Sequence, residues 1–282
     1  MLKVGKHPFA LRLIVAILAI ALRANALDTP GPALSVNDVL ARVRANLALY
    51  DASIPNLICD ESIDSKRTSG GKVKDEMKIE SSFSMVRSSD GKSFRETRVK
   101  QLVNGIKPKK QKVTPPYFFS GGIVNVLSLV SDTCNNFAFA QDAQTADNSN
   151  IVIAVTPRPA SSEMPAHCEA AWRHSWRAKL VIDPKLFQVL HLEYSVQDLS
   201  FGLASHLPFV PLPSTHNTLS FTADYAPMTL GGKTFWPPQT ITSTVTDKIR
   251  PITLEYVAHY THYHVFTSTS TILPDVKEVS NN

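Results

Sequence analysis

Two hydrophobic periods organise this chain. Between Ser35 and Tyr50 the apolar residues Val36, Val39, Leu40, Val43, Leu47 and Tyr50 recur at steps of three and four, which gathers them on one stripe of an α-helix. Ser35 stands where an N-cap belongs, and Asp38 three residues on places a carboxylate at the positive helix end. The spacing predicts a helix over 36–50. From Ile54 onward the step is two: Met77, Ile79, Phe83 and Met85 alternate with Lys78, Glu80, Ser82 and Ser84, giving a strand with one apolar and one wet face. Ser88–Gly91 reads as a turn, Phe94–Val103 as the returning strand, and Asn104-Gly105 as its end. Further strands are predicted over Ile151–Val155, Lys179–Asp183, Val189–Val196, Leu219–Tyr225, Thr234–Val245 and Ile252–Phe266. Phe118–Leu129 breaks the rhythm; Ile123, Val124, Val126, Leu127, Leu129 and Val130, after Ser120-Gly121-Gly122, read as a second short helix or an apolar flap. A helix followed by many consecutive antiparallel strands is an α+β pattern. It implies a large curved antiparallel β-sheet, a half-barrel, with one or two helices over one face and water on the other.

The first residues belong to neither period. Lys3, Lys6 and Arg12 precede the apolar run Leu13–Leu22, and Ala24-Asn25-Ala26 follows it. A basic segment, a short apolar core and a small-x-small site together form the pattern of a cleavable secretory signal. The apolar run is about half the length needed to span a bilayer core. The expected organisation is a signal peptide over 1–26, a Pro/Gly linker over 27–34, a single α+β domain over 35–275 and a disordered tail over 276–282. After the leader there is no stretch of transmembrane length. Export to the periplasm or beyond follows from the leader.

Removing the leader changes the charge picture. The chain carries 29 Lys+Arg and 24 Asp+Glu, a net of +5, but four of the cations lie in the leader and no acid does, leaving +1. The basic balance is therefore no nucleic-acid footprint. The three cysteines, Cys59, Cys134 and Cys168, would all reach an oxidising compartment, where one disulfide and one thiol are expected. Cys134 and Cys168 lie in polar, loop-like stretches and are the preferred pair; Cys59 sits in the apolar run NLIC and reads as a buried thiol.

The element order resembles the LolA-like fold, the half-barrel of periplasmic lipoprotein carriers. The residues that carry the resemblance are the helix at Ser35–Tyr50 leading into IPNLICDE, the strand–turn–strand Ala178–Tyr194 (AKLVIDPKLFQVLHLEY), the strand Leu219–Tyr225 (LSFTADY), and the aromatic-Pro entry Gly231–Thr244 (GGKTFWPPQTITST). The resemblance implies a hydrophobic cavity between sheet and helices and carries no specific residue onto this chain. The inserts around 107–150 and 157–176 and the Pro-rich loop 202–217 exceed what a minimal carrier needs.

Motifs for chemistry are sparse. There is no G-x-S-x-G, H-E-x-x-H, P-loop or G-x-G-x-x-G, and Gly231–Lys233 reads as a hairpin turn. No cofactor is implied. His259, His262 and His264 cluster in VAHYTHYHVF; on one continuous strand His262 and His264 would share the face of Tyr260, Tyr256 and Leu254, with His259 opposite, and two such histidines could bind a metal given a third ligand. His167, Cys168, Glu169 and His174 form a second polar cluster, although adjacent residues of an extended loop point apart. Trp172 and Trp176, four apart, would share a face on a short helix. Lys107–Lys112 (KPKKQK) reads as a solvated turn. Asp60-Glu61 and Asp75-Glu76 are neighbours on strands and face opposite sides, which leaves glycosidase-like chemistry without a carboxylate pair.

The expected function is therefore non-enzymatic: an exported cell-envelope protein whose sheet and helices enclose a hydrophobic ligand, whether a lipid, an acyl chain or a lipoprotein-like partner. The expected wall is Val39, Val43 and Leu47 from the helix with Met77, Ile79, Phe83 and Met85 from the strand. The alternatives are an exported metal-dependent hydrolase built on the His-rich terminal strand and a scaffold or interaction module without a pocket.

Overall fold

The structure is a computed structural model that describes residues 34–88, 94–108, 115–117, 129–130, 133–140, 150–159, 168, 175–199, 217–247 and 249–266. The apolar stripe read at the start of the chain folds as the helix α1 (Val36–Ser53), one turn longer than its periodicity, with Val39, Leu40 and Val43 buried. The chain then runs through β1 (Leu57–Ser69), β2 (Lys72–Arg87), β3 (Phe94–Val103), β4 (Asn135–Phe139), β5 (Ile151–Pro157), β6 (Trp176–Ile182) and β7 (Val189–Leu199). β8 (Asn217–Tyr225), β9 (Met228–Leu230), β10 (Lys233–Phe235), β11 (Pro238–Asp247) and β12 (Ile252–Val265) follow.

Ten of these strands form one open sheet in the order β3-β2-β1-β12-β11-β8-β7-β6-β5-β4, every neighbour antiparallel. The first and last strands meet in its interior, where β1 pairs with β12 from Leu57↔Val265 to Ser69↔Ile252. Alternation dictates the layering. β1 buries Leu57, Cys59, Glu61, Ile63 and Ser65 and leaves the residues between them toward water, and β2, β8 and β12 repeat the pattern. Register shifts interrupt six of the ladders among the described residues. Each adds an unpaired residue to one strand, bends it and increases its twist, which curves a wide antiparallel sheet into a half-barrel.

Two apolar clusters line the inner face. One gathers Cys59, Ile63, Ile79, Phe83, Met85, Ile241, Leu254, Tyr256 and Tyr260 from the β2-β1-β12-β11 region with Tyr117. The other gathers Val39, Leu40 and Val43 of α1 with Val130, Ile153, Val155, Leu180, Ile182, Leu192 and Phe221. Three polar contacts seat the helix there. Arg44 Nε donates to Val130 O at 2.7 Å, and Asn46 Nδ2 donates to Leu186 O at 2.7 Å and Phe187 O at 3.1 Å.

Three expectations are corrected. The strand expected over Thr234–Val245 is two: β10 pairs with β9 through a turn at Gly231 (φ 57°) and Gly232 (φ 77°), and β11 begins at Pro238. Pro237 and Pro238 lack N–H donors, so no continuous ladder passes through them. Trp176 lies on strand β6, not on a helix shared with Trp172. The third correction, at the histidines of β12, belongs to the site below. The second helix lies outside the described residues apart from helical Leu129 and Val130, and so do the leader, most of the linker and the tail.

Candidate functional site

The inner face of β3-β2-β1-β12 combines charge with aromatic surface. Glu61, at the centre of β1, stands opposite Ser81 of β2 and Tyr260 of β12. Arg98 projects from the edge strand β3 across β2 and grips the Glu61 carboxylate with two nitrogens, Nε at 2.6 Å and Nη2 at 2.8 Å. Ser81 Oγ donates a third hydrogen bond at 2.9 Å. The guanidinium lies over the Phe83 ring, 4.8 Å from its centroid. Burial opposes the charge of Arg98, and the hydrogen bonds and charge of Glu61 outweigh that, holding the guanidinium protonated above its usual range. Glu96, 3.7 Å from Arg98 Nη1, has its carboxyl raised, chiefly by burial. Beside the pair, the Cys59 thiol is pushed up to about 12 by burial first and by the Glu61 charge second.

Further along the face, small residues make room for a ring. Ser65 of β1 and Ser243 of β11 flank Tyr256 of β12 in one register row. Tyr117 sits against them: its N–H donates to Ser65 Oγ at 2.9 Å, Ser65 Oγ donates to Tyr117 O at 2.6 Å, and its hydroxyl pairs with Ser243 Oγ at 2.7 Å. Burial raises the Tyr117 hydroxyl to about 12. A ladder of rings joins Phe221 of the second cluster to the first. Trp176 of β6 stacks on Tyr194 of β7 at 5.6 Å, and Tyr194 stacks on Phe221 of β8 at 5.2 Å. Trp176, Tyr194 and Tyr225 pack against both clusters and stay partly exposed, so this seam carries open aromatic surface.

The expected wall residues divide at that seam. Val39 and Val43 are buried, and Leu47 partly buried, in the cluster beneath α1. Ile79, Phe83 and Met85 are buried, and Met77 partly buried, in the cluster under β1 and β12. All seven face inward, but they fall in two clusters rather than one wall, with Trp176 and Tyr194 packed against both. Sequence reasoning missed this ladder because Trp176 was placed on a helix. The alternation Trp176, Ala178, Leu180, Ile182 was the signal that could have found it.

The histidines take the other face. β12 sets two residues, His262 and Tyr263, against Cys59 of β1, and His262 adopts a left-handed backbone (φ 52°). This bulge changes the alternation. Tyr260 and Tyr263 both point inward, while His259, His262 and His264 are exposed, so His262 and His264 do not share the face of Tyr260, Tyr256 and Leu254. His262 Nδ1 lies 2.9 Å from Asp60 Oδ2, and His259 Nδ1 lies 3.2 Å from Thr240 Oγ1. Asp60, Glu61, Ser62, Glu80, Ser81, Ser82, Leu102, His259 and Thr261 line an open groove of about 420 Å³ there. Among the described residues no three His, Cys, Asp or Glu side chains group so as to hold a metal ion.

Cys134 and Cys168 form a disulfide, and Cys59 is the buried free thiol. The histidines and the glutamate flanking Cys168 lie outside the described residues. No helix among the described residues is long and apolar enough to cross a membrane.

No protein-family model and no curated protein matches the chain. Solved structures similar to it include the following two. A DUF1329 family protein from Desulfovibrio piger is 10% identical over 82% of this chain and 95% of its own, with a TM-score of 0.35. A LolA superfamily protein from Nitrosomonas europaea is 9% identical over 84% of this chain and 96% of its own, with a TM-score of 0.34. The second belongs to the superfamily that the element order of the sequence resembles.

Proposed function

We propose that this chain is an exported cell-envelope protein that binds a hydrophobic ligand against the inner face of its sheet, and that it is a binding protein rather than an enzyme. The ligand class is a lipid, an acyl chain or the acylated end of a lipoprotein-like partner. The observation that carries the reading is the aromatic seam. Trp176 and Tyr194 face inward, stack on each other and remain partly open between two closed apolar clusters. Both rings keep part of their surface open, and a ligand covering it would add apolar burial at about 25 cal/mol per Å². Rings of this kind present a flat apolar surface at low entropic cost, suited to an alkyl chain. The leader pattern and the Cys134–Cys168 disulfide support an oxidising, extracytoplasmic location.

Two measurements test the reading together. Native mass spectrometry of gently extracted protein should show a bound lipid-sized mass, and a fluorescent fatty acid should bind with quenching of tryptophan emission. Trp176→Ala and Tyr194→Ala should each weaken that uptake about tenfold with little change in the buried clusters. A protein with no copurified lipid and no uptake would not be a carrier.

A further inference from the structure

We infer that the sheet carries a docking surface for anionic membranes at one end, formed by the tips of the β1–β2 and β11–β12 hairpins. The packed inner face stops short of these tips. Its last all-apolar row runs Trp176, Val196, Leu219, Val245, Leu254 across β6, β7, β8, β11 and β12, and one further row, with Asn217 and Asp247 buried and Ile252 packed on the core, reaches β1 at Ser69. Beyond Arg67, β1 continues to Ser69, and the first five residues of β2 are all exposed. At about 3.3 Å per residue the glycine turn lies roughly 3 Å past that row, and the exposure of the β2 end comes from β3, which pairs with β2 only from Ile79 onward. Gly70 (φ 58°) and Gly71 (φ 72°) close the β1–β2 hairpin, and Gly70 N–H donates to Pro251 O at 2.9 Å, which ties it to the neighbouring tip.

Each tip presents an aliphatic side chain to water beside cations. Val73 is 52% exposed between Lys72 and Lys74, and Ile249 is 65% exposed next to Arg250. At the second tip the buried Asp247 carboxylate accepts from the N–H groups of Ile249 and Arg250 at 2.9 and 3.1 Å and from Arg250 Nε at 3.1 Å.

The local charges sort by pairing. Lys66 is bound to Glu255, Arg67 to Asp75 and Arg250 to Asp247, and Glu76 lies close enough to Lys66 to act on its charge. Lys72 and Lys74 have no ion pair among the described residues. Two unneutralised lysines flanking an exposed valine, beside an exposed isoleucine, make a surface for the interface of an anionic bilayer. The aliphatic ends enter the acyl boundary and the ammonium groups meet the headgroups. An acidic protein would use the lysines but has no need of two exposed aliphatic tips. The surface also lies at the end of the sheet where Trp176 opens, which would set the seam beside the lipid; the docking itself does not depend on the seam holding a ligand.

The test is co-sedimentation of the processed protein with phosphatidylcholine vesicles, with and without phosphatidylglycerol. Binding is expected only with phosphatidylglycerol, falling as salt rises. Lys72→Gln and Lys74→Gln should each weaken it about fivefold, and Val73→Ser and Ile249→Ser should each weaken it several-fold. All four side chains are exposed, so the thermal midpoint should stay put; Val99→Ser, an exposed apolar site on β3, is the control. Equal binding to neutral vesicles, no binding to either, or tip variants that bind like the parent would each overturn the docking surface. Fatty-acid uptake is measured without vesicles, so the two readings fail separately.

Discussion

Arg98 on the edge strand holds Glu61 across an intervening strand, with Nε 2.6 Å from Oε2 and Nη2 2.8 Å from Oε1, inside a cluster of aromatic rings. The Glu61 side chain is wholly out of water. A buried pair of this kind costs desolvation of both ions, recovered only while both are present. Arg98→Met should therefore destabilise by about 3–5 kcal/mol in urea unfolding, by stranding a carboxylate. The double variant Glu61→Met/Arg98→Met should recover much of that loss. If the double variant is as unstable as the single one, the pair is not what the cluster depends on.

The β6–β7 turn makes a second, unusual demand. Phe187 is buried and stacked under the Arg42 guanidinium at 4.6 Å, yet its backbone is left-handed (φ 53°). Glycine adopts that conformation without cost, whereas a Cβ costs about 1–2 kcal/mol. Phe187→Gly should therefore be less destabilising than Phe187→Ala by about 1 kcal/mol, the reverse of the usual order. Thermal unfolding of the two variants side by side decides it; an Ala variant the more stable of the pair would contradict the turn geometry.

Much of this architecture was legible because period-two alternation is a local signal. Met77, Ile79, Phe83 and Met85 were read as one face and are one face, and Asp60-Glu61 was read as split between faces and is split. The Cys134–Cys168 pair followed from the polarity of the flanking residues. What escaped were events that need a second strand to define them. The bulge at His262 exists only because β12 offers two residues to Cys59, and it sends His262 and His264 outward. The Arg98–Glu61 bond joins residues on strands that are not neighbours. The seam between the clusters depends on where α1 lies, and no residue of the helix announces that it covers β5–β7 rather than β1 and β2.

The cysteines give a prediction with two readouts. The Cys134–Cys168 crosslink spans 34 residues, and closing a loop of that size removes about 3–4 kcal/mol of unfolded-chain entropy. Cys134→Ser/Cys168→Ser should lower stability by about that amount. Cys59 is buried, so a thiol reagent should label nothing in the native protein, one cysteine in denaturant and three after reduction. Native labelling of one cysteine would mean that water reaches the inner face beside Glu61.

Alkaline pH should unfold the protein cooperatively, because every one of its seven tyrosines has a hydroxyl raised by burial. Tyr117 moves from 10.0 to about 12, and the Cys59 thiol joins them, moving from 9.0 to about 12. The folded state keeps these protons after the unfolded chain has begun to release them. Stability from these groups is therefore complete below about pH 9 and is lost as pH rises through about 12. Each group contributes a slope of about 1.4 kcal/mol per pH unit within its window, so a few acting together outweigh the whole stability of a typical domain. The absorbance that tyrosine gains on ionising is the measurement, followed together with the far-ultraviolet circular dichroism of the sheet. The two signals should change in one step. Tyrosines that ionise smoothly near pH 10 with the sheet intact would place their hydroxyls in water, and with them the inner face that the proposed binding requires to be apolar.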